Sequence, residues 1–186
     1  MIDDLKDQWY LKQYYSGDTK AFDKIIERYK KPLFGFIFKM VQNREIAEDI
    51  FQDTFIKVIH YGKDYKEQGK FHSWIFNIAH NLCRDFWRKK STQNEYVDET
   101  LLDQDIDQNQ SALDQLYESE NKEWLETAID RLPEKQKEVV LLYVYSEMSF
   151  KDIADMLKCS INTVLGRMHY AKQKLAEDWM EHEAGN

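Results

Sequence analysis

The chain has 186 residues, of which 42% are hydrophobic and 32% charged, and its formal net charge is −8. This composition is typical of a globular protein and excludes collagen-like and low-complexity chains. Only six Gly and two Pro are present, and no Val/Ile/Thr-rich alternating segment is joined to a hairpin turn. We therefore predict an all-α fold.

Membrane insertion, secretion and metal binding all lack a sequence signal. No apolar run could span a bilayer, and the N-terminus lacks the basic start and apolar core of a signal peptide. Cys83 and Cys159 are far apart and lack metal-ligand spacing. We expect a cytoplasmic protein with two reduced thiols, no metal, no cofactor, no catalytic residues and no stable membrane insertion.

The first strong helical pattern covers residues 43–60, NREIAEDIFQDTFIKVIH, and begins with a capping Asn43. Apolar spacing predicts a buried stripe made of Ala47, Ile50, Phe51, Thr54, Phe55, Val58 and Ile59. The opposite face carries Glu48, Asp49, Gln52 and Asp53. This acidic face is either simply solvated or suited to a basic protein surface.

Residues 71–90, FHSWIFNIAHNLCRDFWRKK, interleave basic and aromatic side chains, a combination that suits single-stranded nucleic acid. The aromatic residues are Phe71, Trp74, Phe76, Phe86 and Trp87. The alternative for each is core packing, since Trp74, Ile75, Ile78, Ala79 and Leu82 fall at helical spacing. The polar segment 61–70, YGKDYKEQGK, predicts a loop that could form a pocket for a flipped base.

Residues 91–120 account for the acidity of the chain. They hold nine Asp or Glu and no Lys or Arg, so the remaining residues together carry +1. Their polar composition predicts a flexible linker. It is either a plain solvated spacer or an acidic strand that avoids phosphates or occupies a nucleic-acid groove. The linker predicts two small helical domains, at residues 1–90 and 121–180, followed by an acidic tail, Glu177 to Glu183, that we expect to fray.

The C-terminal domain opens with two amphipathic segments that meet at Pro133, and Val139, Val140, Leu142 and Tyr143 continue its predicted core. The segment SFKDIADMLKCSINTVLGRMHYAKQKL, residues 149–175, then predicts a helix-turn-helix. Ser149 and Ser160 can each cap a helix, and the small Ala154 allows close crossing.

The second of these helices has a predicted buried stripe at Ile161, Val164, Met168, Ala171 and Leu175. Its opposite face is free of acids from Thr163 to Lys174. The alternative to nucleic-acid binding is a four-helix bundle without a ligand. Gly166, on the outer face, either permits close approach to DNA or is simply tolerated.

The segment AEDIFQDTFIKVI followed by FHSWIFNIAHNLCRDFWRKK closely resembles the promoter-melting domain of bacterial RNA polymerase sigma factors. The segment from RLPEKQ to AKQKL resembles their C-terminal helix-turn-helix domain. Two such domains joined by a short linker resemble the extracytoplasmic-function (ECF) subfamily. The resemblance implies a non-enzymatic initiation factor whose partners are core RNA polymerase, promoter DNA and an anti-sigma factor.

The resemblance also implies roles for individual residues. Asp49, Gln52, Asp53 and Ile56 would dock on a helical clamp element of the polymerase. The opened strand of the minus-ten element would meet Lys63, Trp74, Asn77, Asn81, Arg84 and Arg88. The duplex minus-thirty-five element would meet Asn162, Thr163, Arg167, His169 and Lys172. The linker would run toward the RNA exit path.

Three positions depart from the family pattern. Leu165 and Tyr170 stand where family members commonly have cations, and Lys158 stands where they often have Gly. Two missing cations should weaken phosphate contact. Two other hypotheses remain at this stage: a stand-alone helix-turn-helix regulator whose N-terminal domain oligomerises or senses a signal, and an all-α adaptor.

Overall fold

The computed structural model describes residues 4–66, 70–90 and 122–184. Within them, eight α-helices are present and no strand. The chain divides into two compact units, one built from the helices before residue 91 and the other mainly from those after residue 121. The all-α prediction with two helical units is thus confirmed. The predicted linker, residues 91–120, lies outside the described residues.

The N-terminal unit contains four helices and one short 3-10 helix. Their bounds are α1 Asp4–Tyr15, α2 Thr19–Val41, α3 Arg44–Tyr61, the 3-10 helix Gly62–Asp64, and α4 Phe71–Lys90. The predicted cap is confirmed, since Asn43 Oδ1 accepts a hydrogen bond from the Ile46 N–H at 3.1 Å. Gln42, which lies between the end of α2 and Asn43, has a left-handed backbone conformation with a φ of 52°. The start of α3 is therefore fixed by local backbone and side-chain bonds.

Helix α2 is the centre of this unit. Its inward face buries Ile25, Leu33, Phe36 and Ile37 completely. Pro32 lies within the helix and lacks an N–H, yet α2 continues through it. Helices α3 and α4 both pack against α2 and against each other. One shared core therefore fixes the relative orientation of α3 and α4.

Helix α1 is fastened to α2 by a buried carboxylate. Asp7 is fully buried and accepts hydrogen bonds at 2.7 Å from Arg28 Nη1 and from the Tyr29 hydroxyl. A buried charge requires such partners, because an unpaired carboxylate away from water is costly. The bonds to Arg28 and Tyr29 therefore hold α1 in place.

The C-terminal unit consists of α5 Lys122–Asp130, α6 Glu134–Ser146, α7 Phe150–Leu157 and α8 Ile161–Ala184. Its core includes Leu125, Val139, Val140, Leu141 and Leu142. The predicted helix-turn-helix is confirmed as α7 and α8. Ser149 caps α7, since its Oγ accepts a hydrogen bond from the Asp152 N–H at 3.2 Å. Ser160 caps α8, since its Oγ accepts a hydrogen bond from the Thr163 N–H at 3.0 Å. Lys158 ends α7 with a left-handed φ of 54°.

Three details of this unit differ from the sequence prediction. The tail does not fray, because α8 runs to Ala184 and the Trp179 ring packs edge-on against Trp124 of α5 at 4.8 Å. Ile161 is 45% exposed rather than buried, since it occupies the first position of α8. Tyr143 is only half-buried, and the neighbouring Leu141 is buried instead.

Candidate functional site

The outward face of α3 is acidic with one apolar residue in it. Asp49, Gln52 and Asp53 are all exposed, and Ile56 is 61% exposed one turn further along the helix. Among the described residues no cation pairs with Asp49 or Asp53, whereas Glu48 is held by Arg44 at 2.9 Å. The structure therefore brings the four predicted residues together on one surface, which we call the α3 face.

The buried side of α3 agrees with the predicted stripe at five of seven positions. Ala47, Ile50, Thr54, Phe55 and Val58 are buried. Phe51 is half-buried and Ile59 is 37% exposed. Ile59 lies at the edge of the stripe, where helical geometry turns a side chain toward solvent, whereas Phe51 lies within the stripe and packs against the Phe34 and Phe55 rings. The α3 face is therefore bounded on one side by the partly exposed Ile59.

Helix α4 presents five of the predicted strand-contacting residues on one side. Trp74, Asn77, Asn81, Arg84 and Arg88 recur at spacings of three and four. At about 100° per residue they occupy an arc of about 80°. Asn81, Arg84 and Arg88 are exposed, whereas Trp74 and Asn77 are half-buried. We call this surface the α4 stripe.

Hydrogen bonds organise the polar part of the α4 stripe. Asn81 Nδ2 donates to Asn77 Oδ1 at 2.6 Å, which orients both amides along the helix. Arg88 Nη2 lies 3.0 Å from Asp85 Oδ1, and both side chains are mostly exposed, so the pair is weak. Arg84 is exposed and forms no ion pair with any residue that the structure describes. The Arg84 guanidinium is thus available to an external ligand.

The structure decides which aromatic residues near α4 can meet a base. Phe71 and Phe76 are fully buried, so the core-packing alternative holds for both. Trp87 is half-buried, and its Nε1–H donates to the Met40 carbonyl oxygen at 3.0 Å. Trp74 remains accessible, with the Tyr65 ring against it at 4.6 Å and an interplanar angle of 32°. Stacking on a base is therefore best supported at Trp74 and Tyr65.

The buried residues of α4 agree only in part with the predicted core of this helix. Ile75 and Ala79 are buried as predicted, but Ile78 and Leu82 are only half-buried. The packing surface of α4 instead extends to the buried Phe76, His80 and Cys83, on the side of the helix away from Ile78. The α4 stripe therefore lies outside the packing surface.

The segment between α3 and α4 is more ordered than the predicted loop at its beginning. The 3-10 helix Gly62–Asp64 follows α3 directly, and the candidate Lys63 lies in it with an exposed side chain. The Tyr15 hydroxyl of α1 donates a hydrogen bond to the Ile59 carbonyl oxygen. Partial burial and Tyr14 raise the pKa of Tyr15 above its ordinary value, at which a tyrosine is already protonated at neutral pH.

The five predicted residues of α8 flank its buried stripe. Val164, Met168, Ala171 and Leu175 are buried as predicted. By helical angle, Asn162 and His169 lie opposite this stripe, and Thr163, Arg167 and Lys172 lie toward its two edges. Asn162 is exposed and the other four are half-buried. Gly166 is buried, so a close approach of DNA at that position gains no support.

Cys159 occupies the turn of the helix-turn-helix, and Cys83 lies inside the N-terminal unit. Burial raises the pKa of the Cys83 thiol to about 12. Burial also raises the pKa of Cys159, against the opposing charge of Arg167. Both cysteines are therefore neutral thiols near pH 7 and poor nucleophiles.

Sequence reasoning assigned no function to α1. Its apolar residues are spread around the helix, and Leu5 and Trp9 are 72% and 56% exposed, so no one-sided pattern marked its role. The close approach of α1 to the 3-10 helix is visible only in the structure, where a Cβ added at Gly62 would lie 2.9 Å from the Tyr15 hydroxyl oxygen. Among the described residues no cluster of three metal-ligating side chains occurs. Nor is any described helix both long and apolar enough for a membrane span.

Comparison with known proteins identifies both units. The family model for Sigma-70 region 2 matches residues 25–93, and that for Sigma-70 region 4 matches residues 122–175. The chain is 29% identical over 173 residues to the ECF RNA polymerase sigma factor SigW of Bacillus subtilis, covering 89% of this chain and 92% of SigW. It is 24% identical over 182 residues to the RNA polymerase sigma-H factor of Pseudomonas aeruginosa, covering 94% of both chains.

Two solved structures share the fold. CnrH, in complex with the cytosolic domain of CnrY, is 23% identical with a TM-score of 0.65, covering 92% of this chain and 96% of CnrH. RpoE from Bartonella quintana, in complex with the anti-sigma factor NepR, is 22% identical with a TM-score of 0.65, covering 87% of this chain and 98% of RpoE. The chain therefore belongs to the sigma-70 family of RNA polymerase sigma factors, in its ECF subfamily, and is a non-enzymatic transcription initiation factor.

Proposed function

We propose that this sigma factor binds core RNA polymerase through the α3 face and holds an opened promoter strand on the α4 stripe. One observation carries the proposal: two consecutive helices of a single unit expose chemically opposite surfaces. The α3 face is acidic around Ile56, and the α4 stripe contains Arg84, Arg88 and an exposed amide. An acidic surface repels phosphate and attracts a basic protein, while a basic one does the reverse.

Ile56 and its acidic neighbours form a small docking surface. An exposed apolar side chain gains free energy when a partner covers it. Asp49 and Asp53, on the two preceding turns, would pair with cations of the polymerase clamp and set the orientation of binding. Glu48 is already engaged by Arg44, so it contributes less.

The α4 stripe has the groups that single-stranded DNA requires. Arginine side chains hold the phosphates, and amides hydrogen-bond to the edges of unpaired bases. Trp74 offers a partly exposed ring on which a base can stack. We propose that Asn77, Asn81, Arg84 and Arg88 contact the minus-ten element in this way, with Lys63 beside them, and thereby favour the melted state.

Helix α8 would recognise the duplex minus-thirty-five element. Asn162 at its exposed beginning suits a base edge in the major groove, and Arg167 and Lys172 suit phosphates. Thr163 and His169 complete the predicted set. Leu165 and Tyr170 supply no cation, so we expect this element to contribute less affinity than it does in relatives with cations there.

The net charge of −8 favours regulation by partners over direct DNA binding. An acidic chain repels DNA until polymerase brings the two together. CnrH is seen in complex with the cytosolic domain of CnrY, and RpoE in complex with the anti-sigma factor NepR. We propose that an anti-sigma factor likewise holds this chain inactive, and that it acts in the cytoplasm, where RNA polymerase is found.

The test separates polymerase binding from promoter opening. A promoter is first selected from a random DNA library with reconstituted holoenzyme. Asp49→Arg should then abolish binding to core polymerase, whereas Asp23→Arg, a matched change at an exposed site on α2, should not. Arg84→Gln should bind polymerase normally but form fewer open complexes, as measured by permanganate reactivity of unpaired thymines.

Two results would contradict the proposal. Normal polymerase binding by Asp49→Arg, with circular dichroism unchanged, would show that the α3 face is not the docking surface. Normal opening by Arg84→Gln would remove the α4 stripe from strand binding.

A further inference from the structure

An open cavity of about 270 Å³ lies between α5 and the end of α8 in the C-terminal unit, and we call it the α5–α8 cavity. One wall comes from α5 and the turn after it, through Trp124, Thr127, Ala128 and Arg131. The other wall comes from α8, through Asp178, Glu181 and His182. The family model for region 4 ends at residue 175, so the α8 wall lies in a part of the chain to which the family match assigns no role.

Three aromatic rings hold the two walls together. The Trp124 ring of α5 packs edge-on against the Trp179 ring of α8, with 4.8 Å between the ring centroids. The His182 ring lies 5.9 Å from that of Trp124 and 5.8 Å from that of Trp179. Ala128, which also lines the cavity, is only 3% exposed. Packing between distant parts of the chain therefore builds the cavity.

The charged groups of the cavity are not paired with one another. Arg131, Asp178 and Glu181 all line it, and none forms an ion pair with a residue that the structure describes. The backbone of Arg131 is fixed, since its N–H donates to the Ala128 carbonyl oxygen at 3.1 Å. One guanidinium and two carboxylates leave a net charge of −1, with histidine counted as neutral. Such a cavity suits a ligand that has groups of both signs and an excess of positive charge.

A basic α-amino acid has this combination of groups, because at neutral pH it carries one carboxylate and two cations. Its carboxylate would accept hydrogen bonds from the Arg131 guanidinium, a pairing that is often bidentate. Its two cations would pair with Asp178 and Glu181. The half-buried Trp124 ring offers an aromatic face to the side-chain cation. A simple cation would leave Arg131 unmatched, and two carboxylates would repel a simple anion.

We infer that the α5–α8 cavity binds a free basic amino acid, with its carboxylate on Arg131 and its two cations on Asp178 and Glu181. The inference goes beyond the proposed function, because neither the α3 face nor the α4 stripe takes part. It is also separate from duplex recognition, since the candidate DNA-contacting residues of α8 lie between 162 and 172. A ligand that binds only the folded unit also stabilises it, which gives a second readout.

The experiment titrates full-length chain with L-lysine or L-arginine at constant ionic strength and measures binding by calorimetry. Two analogues test the separate charges: L-lysinamide lacks the carboxylate, and L-norleucine lacks the side-chain ammonium. The variants Arg131→Gln and Glu181→Gln each remove one charge from the cavity. Their controls, Lys174→Gln and Glu177→Gln, remove one charge of the same sign from exposed positions of α8 outside the cavity. Circular dichroism verifies that all four variants fold.

We expect Arg131→Gln and Glu181→Gln each to weaken binding by about 10- to 100-fold, as for loss of one charged hydrogen-bonding partner. The control variants should bind like the wild type, and both analogues should bind more weakly than L-lysine. The bound amino acid should also raise the melting temperature of the wild type more than that of Glu181→Gln. Failure of the wild type to bind either amino acid would overturn the inference, as would an equal loss of affinity in Glu177→Gln.

Discussion

Ile56 gives a quantitative test of the α3 face. Full burial of an isoleucine side chain is worth about 1.5 to 3 kcal/mol. Because Ile56 is 61% exposed, about three-fifths of that free energy, or about 1 to 2 kcal/mol, is still to be gained on docking. Ile56→Ala should therefore weaken binding to core polymerase by about 5- to 30-fold. The free energy of unfolding should change little, since most of the side chain already contacts water.

The affinity is measured by titrating labelled chain with core polymerase, and fluorescence anisotropy reports the fraction bound. Leu5→Ala is the matched control, because Leu5 is 72% exposed on α1 of the same unit but lies outside the α3 face. Circular dichroism and thermal unfolding verify that both variants fold. Affinity within twofold of wild type for Ile56→Ala, or an equal loss for Leu5→Ala, would refute the assignment of Ile56 to the interface.

Two stability predictions test the local geometry. Gly62→Ala should lower the free energy of unfolding by about 1 to 3 kcal/mol, because the new Cβ would lie within 3.2 Å of Tyr15 and Leu11. A denaturant titration measures this change. If there were no clash, the same substitution would stabilise the protein by about 0.4 to 1 kcal/mol, which would contradict the prediction. Lys158→Gly should stabilise the C-terminal unit by about 0.5 to 1 kcal/mol, because a left-handed φ of 54° strains a residue with a Cβ. The mid-helix control Lys174→Gly should destabilise the C-terminal unit by about 1 kcal/mol. Thermal unfolding is monitored by tryptophan fluorescence, and a melting temperature of Lys158→Gly below that of the wild type would contradict the prediction.

The sequence predicted best where a periodic pattern and a cap occurred together. The beginning of α3 and both helices of the helix-turn-helix were recognised because Asn43, Ser149 and Ser160 each precede a regular apolar stripe. In these cases the local preference and the final packing agree. The acidic residues of the α3 face followed from the same pattern, as the positions opposite the stripe.

The pattern predicted less where packing rather than spacing decides. Trp74 and Phe76 both fit α4, but only contacts with the rest of the core bury Phe76 and leave Trp74 accessible. The end of α8 was expected to fray because the segment from Glu177 to Glu183 is acidic. Trp179 and Trp124 offset that effect through a contact between residues distant in sequence. Such contacts leave no periodic signal.

The shared core of the N-terminal unit explains how one small module can link polymerase to DNA. Helices α3 and α4 pack on α2 through fully buried side chains such as Val58, Phe36 and Phe76, and close-packed interiors do not slide freely. Polymerase docked on the α3 face, as we propose, would therefore also fix the position of the α4 stripe. Exposed charges more than about 8 Å apart are largely screened at physiological salt. A strand held against Arg84, as we propose, would thus experience mainly the local cations, although the whole chain is acidic.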